Sequence, residues 1–179
     1  MFSTYRLPGK LAGEKVVKIV RRDRFILFKK ILQAGMMIIL PSAVFYAMTV
    51  IYPALLSGEI SFPLAVLGGS AYFLFIWLFF FFSFVDYYLD VWIITSERII
   101  DVGQGGFFSR KVSELSLGKI QDVSSETRGL LPTILKYGNV EVQSAGEEGK
   151  FIFQEIPNPE EVRNTIIKLS QGKQRKNML

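Results

Sequence analysis

The sequence predicts a membrane α-helical hairpin followed by a small α+β domain, with about seven antiparallel strands in a barrel capped by a C-terminal helix. Three observations carry this. Two charge-free stretches, Ile31 to Gly58 and Ile60 to Val85, lie back to back with only Glu59 between them. Each exceeds the roughly 20 apolar residues needed to cross a hydrocarbon core about 30 Å thick. After Asp86 the pattern changes from apolar runs to the two-residue alternation of strands. From "NPEEV" onward, Val162, Ile166 and Leu169 fall on one face of an amphipathic helix.

These signals divide the 179 residues into a basic juxtamembrane segment (1–30), a hairpin (31–85, spans about 31–56 and 62–85), a β-rich domain (86–171) and a basic tail (172–179). The overall charge of +5 is uneven. Residues 1–30 hold nine basic and two acidic side chains, whereas residues 86–179 hold twelve and thirteen. Short Lys/Arg-rich flanks stay on the cytoplasmic side, so the sequence predicts a multi-pass protein of the cytoplasmic membrane with both termini inside and the Glu59 loop outside. The first 30 residues are too charged for the apolar region of a cleaved signal peptide.

Within "EKVVKIVRRDRFILFKK" the cations Arg21, Arg22, Arg24, Lys29 and Lys30 form a membrane-surface basic flank. The topology rule favours an ordinary positive-inside approach. A segment lying at headgroup level and a strand added to the later domain are the other readings. In the first span, Pro41 frees a carbonyl that needs a local partner and sets an expected kink. Gly68 to Ala71 in the second span, at the depth of Ala43 and Ala47, predict a close helix approach. Neither span carries an ionisable residue, which argues against an ion or proton pathway. Tyr87, Tyr88 and Trp92 suit either an interfacial aromatic belt or a domain core.

Beyond the spans, "YYLDVWIIT" and "RIIDV" flank a tight turn at Ser96 and Glu97. The turn "GQGG" precedes "RKVSELSL" and "KIQDVSSE", a short apolar turn or helix "GLLPTILKYG" follows, and "NVEVQSA" and "KFIFQEI" complete the sheet. Asn158, Pro159 and Glu161 predict a capping box, and Gly172 an end to the last helix.

Composition narrows the chemistry. Cys and His are both 0, which removes thiolate metal sites, disulfides and the commonest general base. Ser113, Ser116, Ser124 and Ser125 lie near Lys111 and Lys119, but a Ser-Lys nucleophile needs a desolvated lysine and an oxyanion hole. Glu147 and Glu148 read as a solvated turn. "GQGG" lacks the Lys-Ser/Thr ending of a phosphate cradle. The tail "KQRK" has no interleaved aromatic, so nucleic acid is not expected. No catalytic residue, cofactor or metal is predicted.

The run "YLDVWIITSERIIDV", then "SRKVSELSLGKIQDV", then "YGNVEVQSAGEEGKFIFQEIPNPEEV" resembles the bacterial PH-domain family, the membrane-flanked domain. "IQDV" at Ile120 to Val123 is its most specific part, and Gly13 and Glu14 match the "GE" that precedes the basic approach to a two-helix hairpin. The resemblance implies a PH-like barrel and a binding role. Phosphoinositide-binding members of the wider fold cluster cations between their first two strands; with that loop placed at Thr95 to Arg98, such recognition is not expected. The next loop, with Phe107 and Phe108 beside Arg110 and Lys111, is the candidate lipid or partner contact. Against it stands the commoner arrangement of core phenylalanines and solvated cations.

The sequence therefore predicts a non-catalytic binding or scaffold module at the cytoplasmic membrane face. Its expected partners are membrane lipid, a membrane protein or peptide strand, and a second copy of the chain. The rival is an accessory subunit of a transport or envelope-processing complex.

Overall fold

A computed structural model describes residues 13–55, 58–104, 110–144 and 150–177. It contains two units: a helical one from Arg24 to Tyr87, and a β-rich one drawn from the chain up to Asp23 and from Tyr88 onward.

The helical unit holds α1 (Arg24–Ile51) and α2 (Ser61–Leu89), with a 3₁₀ turn at Pro53–Leu55. Both helices are long and apolar enough to cross a membrane. Of their most apolar windows, 0% and 6% are buried, unlike the core helices of a soluble fold. Pro41 lies inside α1 and supplies no amide to the carbonyl of Met37, four residues earlier. The Tyr72 hydroxyl donates to that carbonyl at 2.9 Å. Lys30 Nζ donates to the Ser83 carbonyl at 2.9 Å.

The close approach expected at Gly68 to Ala71 is not found, since a Cβ added at Gly68 or Gly69 would meet nothing within 4 Å. The helices instead share a cleft lined by Lys30, Gln33, Ala34 and Met37 from α1 and Ile76, Phe79, Phe80 and Ser83 from α2.

Among the described residues the β-rich unit has seven strands in two antiparallel sheets. The first sheet runs β1 (Val16–Arg21), β2 (Val91–Thr95), β3 (Arg98–Gln104), β4 (Arg110–Ser116), in that spatial order. The second runs β5 (Ile120–Glu126), β6 (Tyr137–Ser144), β7 (Phe151–Pro157). The sheets are separate, so the expected single barrel is not closed. A 3₁₀ turn at Leu117–Lys119 links them, and α3 (Leu130–Leu135) joins β5 to β6. The last helix, α4 (Pro159–Asn177), follows β7. The core draws Ile94, Ile99 and Leu115 from the first sheet, Val140, Val142 and Phe153 from the second, and Val162 and Ile166 from α4. Trp92 packs on Phe153 with ring centroids 5.6 Å apart, which settles it as a core aromatic.

Four sequence expectations are corrected here. Residues 16–21, favoured as a flank, form strand β1 and pair with β2 from Val16↔Thr95 to Arg21↔Val91. Lys18 and Val20, two residues apart, share one face, where Val20 enters the core and Lys18 reaches Glu161 at 2.7 Å, while Ile19 between them packs with Ile93 on the other face. It follows that the first two strands are β1 and β2, and that the helical hairpin, not Thr95 to Arg98, connects them. The capping box does not form: Lys136 O takes the Asn158 amide at 2.8 Å, and the Glu161 carboxylate goes to Lys18. Nor does Gly172 end α4. Ser170 Oγ donates to Leu117 O at 3.0 Å, Lys173 pairs with Glu97, and Gln174 Nε2 donates to Ile120 O at 3.3 Å. These tertiary bonds outweigh a glycine cost of about 1 kcal/mol.

Candidate functional site

Strand β1 ends at Arg21 and β2 begins at Val91, its register partner. The chain thus leaves the β-rich unit and returns to it on neighbouring strands, and charged side chains gather at that end. Arg22 Nη2 meets Asp90 Oδ2 at 2.6 Å and Gln154 Oε1 at 3.3 Å, while its Nη1 lies 3.7 Å from Glu155 Oε2. The Asp23 amide donates to Glu155 O at 2.7 Å. The Arg21 guanidinium sits 5.6 Å from the centroid of the Tyr88 ring, within cation–π range.

Asp90 and Asp101 face the same corner, where Gly103 leaves room: a Cβ there would lie 3.8 Å from Asp90 Oδ1 and 3.9 Å from Asp101 Oδ1. Burial pushes the Asp101 carboxyl above its ordinary value, the negative charge of Asp90 adds to the rise, and Lys111 partly opposes it. Burial likewise raises the Tyr137 phenol, helped by Glu155 and Asp23. Among the described residues no three carboxylates gather as a metal site. Arg22, just past β1, thus ties together Asp90, just before β2, and Glu155 on β7.

The expected contact residues fall unevenly. Phe107 and Phe108 lie outside the described residues. Arg110 opens β4 opposite Gln104, and Lys111 is exposed opposite Gly103. Because Val102 pairs with Val91, the ends of β3 and β4 that flank this loop lie where β2 begins. The basic flank divides: Arg21 and Arg22 belong to the β-rich unit, whereas Arg24, Lys29 and Lys30 start α1, with Arg24 and Lys29 exposed.

A second constellation escaped sequence reasoning. The Glu14 carboxylate is fully enclosed and takes Arg98 Nε at 3.0 Å, Arg98 Nη2 at 3.2 Å and the Thr95 hydroxyl at 2.8 Å. Glu114 holds the remaining arm of Arg98. Hydrogen bonding to Glu14 raises the Arg98 pKa, so the guanidinium stays charged. Gly13 precedes it at φ +83°, a turn that favours glycine. The only sequence signal was the "GE" pair itself.

The family model described as Bacterial PH domain matches residues 32–170. The chain belongs to the bacterial PH domain family. This bacterial PH protein is also similar to the crystal structure of a DUF1696-family protein with a pleckstrin-homology domain from Shewanella loihica PV-4. The two are 15% identical, the match covers 45% of this chain and 70% of that one, and the TM-score is 0.38. No curated protein matches the chain. The family match starts within α1, so β1 and Glu14 of this bacterial PH protein lie before it.

Proposed function

We propose that this protein is a non-catalytic PH-like binding module anchored in the cytoplasmic membrane by α1 and α2. The pairing Arg21↔Val91 carries the reading. Strands that share hydrogen bonds must share one side of any membrane, so β1 and β2 demand an even number of crossings between them. Two helices with their apolar surface uncovered support that count, because water solvates such a surface poorly. The nine basic residues of the first 30 support a cytoplasmic location for the paired strands and both termini.

Anchoring raises the effective concentration of the module for membrane-proximal ligands to the millimolar range. The ligand classes it suits are anionic lipid, through the segment holding Phe107, Phe108, Arg110 and Lys111, and a membrane protein or peptide strand added at a sheet edge. Self-association belongs to the same reading.

The chain has no cysteine, so single introduced ones report cleanly. Glu59→Cys is expected to react with an impermeant thiol reagent in intact cells, and Gly172→Cys only after permeabilisation. Labelling of Gly172→Cys in intact cells overturns the orientation. Recovery of detergent-free protein from the supernatant after high-speed sedimentation overturns the anchoring.

A further inference from the structure

The helix α3 is six residues long, LLPTIL, and four of its side chains are large, apolar and uncovered. Leu130 is 83% exposed and Ile134 72%, with Leu131 and Leu135 exposed beside them. Positions 130 and 134 share one side of the helix, and 131 and 135 the adjoining side. A small α/β unit has ample polar residues to cover a connection of this length, so four contiguous exposed aliphatics mark a surface with a partner. Exposed Arg128 and Lys136 flank the patch on either side.

The position of the patch within the β-rich unit identifies the partner. The carbonyl of Lys136, at the end of α3, accepts the Asn158 amide at 2.8 Å, and Glu155, three residues earlier, accepts the amide of Asp23 at 2.7 Å. Asp23 is the last residue before α1. Tyr137, next to Lys136, lies close enough to Asp23 and Glu155 for both charges to act on its phenol. So α3 stands at the end of the β-rich unit where the chain departs for the apolar helices.

We infer that α3 is a membrane-interface anchor: Leu130, Leu131, Ile134 and Leu135 enter the boundary between headgroups and acyl chains, while Arg128 and Lys136 meet anionic headgroups. The inference rests on the anchored reading above, and goes beyond it by giving the module a lipid contact of its own outside α1, α2 and the β3–β4 connection. Apolar side chains flanked by cations bind at such an interface; Lys136 lies at one end of the patch, and Arg128, at the other, would exchange its exposed Glu126 partner for a headgroup.

The test uses full-length protein in vesicles of phosphatidylethanolamine and phosphatidylglycerol, with an environment-sensitive fluorophore on a single cysteine. Ile134→Cys probes α3, Leu74→Cys probes α2, and Gln143→Cys, exposed on β6 at the opposite end of the strand from Tyr137, is the water control. The vesicles carry a nitroxide either near the headgroup end or near the methyl end of the acyl chain. The expected result is strong quenching at Ile134→Cys by the shallow nitroxide, quenching at Leu74→Cys by the deep one, and none at Gln143→Cys. Adding Leu131→Glu is expected to reduce the quenching at Ile134→Cys and leave Leu74→Cys unchanged. Quenching at Leu74→Cys without quenching at Ile134→Cys overturns the inference and leaves the anchored reading standing. A blue-shifted but unquenched label at Ile134→Cys overturns it in favour of a protein partner, including a second copy. No quenching at Leu74→Cys removes the anchored reading and the inference with it.

Discussion

The Tyr72 hydroxyl donates to the Met37 carbonyl at 2.9 Å, the acceptor that Pro41 leaves without its helical amide. A helix breaker in α1 is thereby matched by a donor on α2. Tyr72→Phe is expected to destabilise the helix pair by about 0.5–2 kcal/mol, the range for interhelical hydrogen bonds in membranes. In a Pro41→Ala background, where the amide returns, Tyr72→Phe should have little effect. Unfolding of the four variants in a mild detergent checks this, and equal costs in both backgrounds would remove the link between Tyr72 and Pro41.

The enclosed pair of Glu14 and Arg98 ties the start of β1 to the β2–β3 turn. Glu14→Ala leaves the partly buried Arg98 guanidinium with Glu114 alone, and is expected to cost up to about 3 kcal/mol, the lower end of the range for breaking a fully buried pair. Glu14→Leu combined with Arg98→Met removes both charges and should recover most of that loss. Thermal unfolding followed by near-UV circular dichroism distinguishes the two, since a double variant no better than Glu14→Ala would argue for lost packing rather than a stranded charge.

Asp101 gives the protein a pH signature. Its folded pKa is raised, so the native state keeps the proton to higher pH than the unfolded chain does. The stability linked to this group is full below the unfolded value, near 3.8, and is lost as pH rises through the folded value. Asp101→Asn should therefore stabilise the β-rich unit at neutral pH, with the advantage shrinking as the medium is acidified. Lys111→Ala, which removes the opposing cation, should move the other way. Melting temperatures of each variant relative to the parent across this pH range measure both.

Gly138, on β6, packs against the end of β5. A Cβ there would lie 2.5 Å from Glu126 O and 2.8 Å from the Thr127 hydroxyl. Gly138→Ala is expected to cost about 1–3 kcal/mol, the usual range for overpacking. Gly172→Ala, with nothing within 4 Å of its Cβ and a helical backbone, should be neutral or slightly stabilising in the same melt.

The parts of this fold that could be read from sequence are those set by local pattern. The two apolar helices follow from uninterrupted length, and β2 to β7 from alternation between recognisable turns. Strand β1 stood among the readings of its segment but was outweighed, because Lys15, Lys18, Arg21 and Arg22 make the stretch resemble a membrane flank, and its partner β2 lies beyond two helices. For the same reason Glu14 gave no sign of its ion pair: Arg98 is distant in the chain and Thr95 looks like an ordinary strand end. The extension of α4 past Gly172 depends on Leu117, Glu97 and Ile120, none of which a helical pattern can see. In α3 the apolar residues were visible, but their exposure was not, since burial is a property of the assembled sheets.

Arg21 and Val91 stand 70 positions apart yet must pair edge to edge. During synthesis at about 5–20 residues per second, β1 waits roughly 4–14 s for its neighbour. Under the proposed topology, a second helix that failed to insert would leave β1 and the remaining strands in different compartments, and the first sheet could never assemble. On that topology, folding of the β-rich unit would act as a checkpoint on insertion of the hairpin, and chains that miss it would present unpaired strand edges to the cell's proteases.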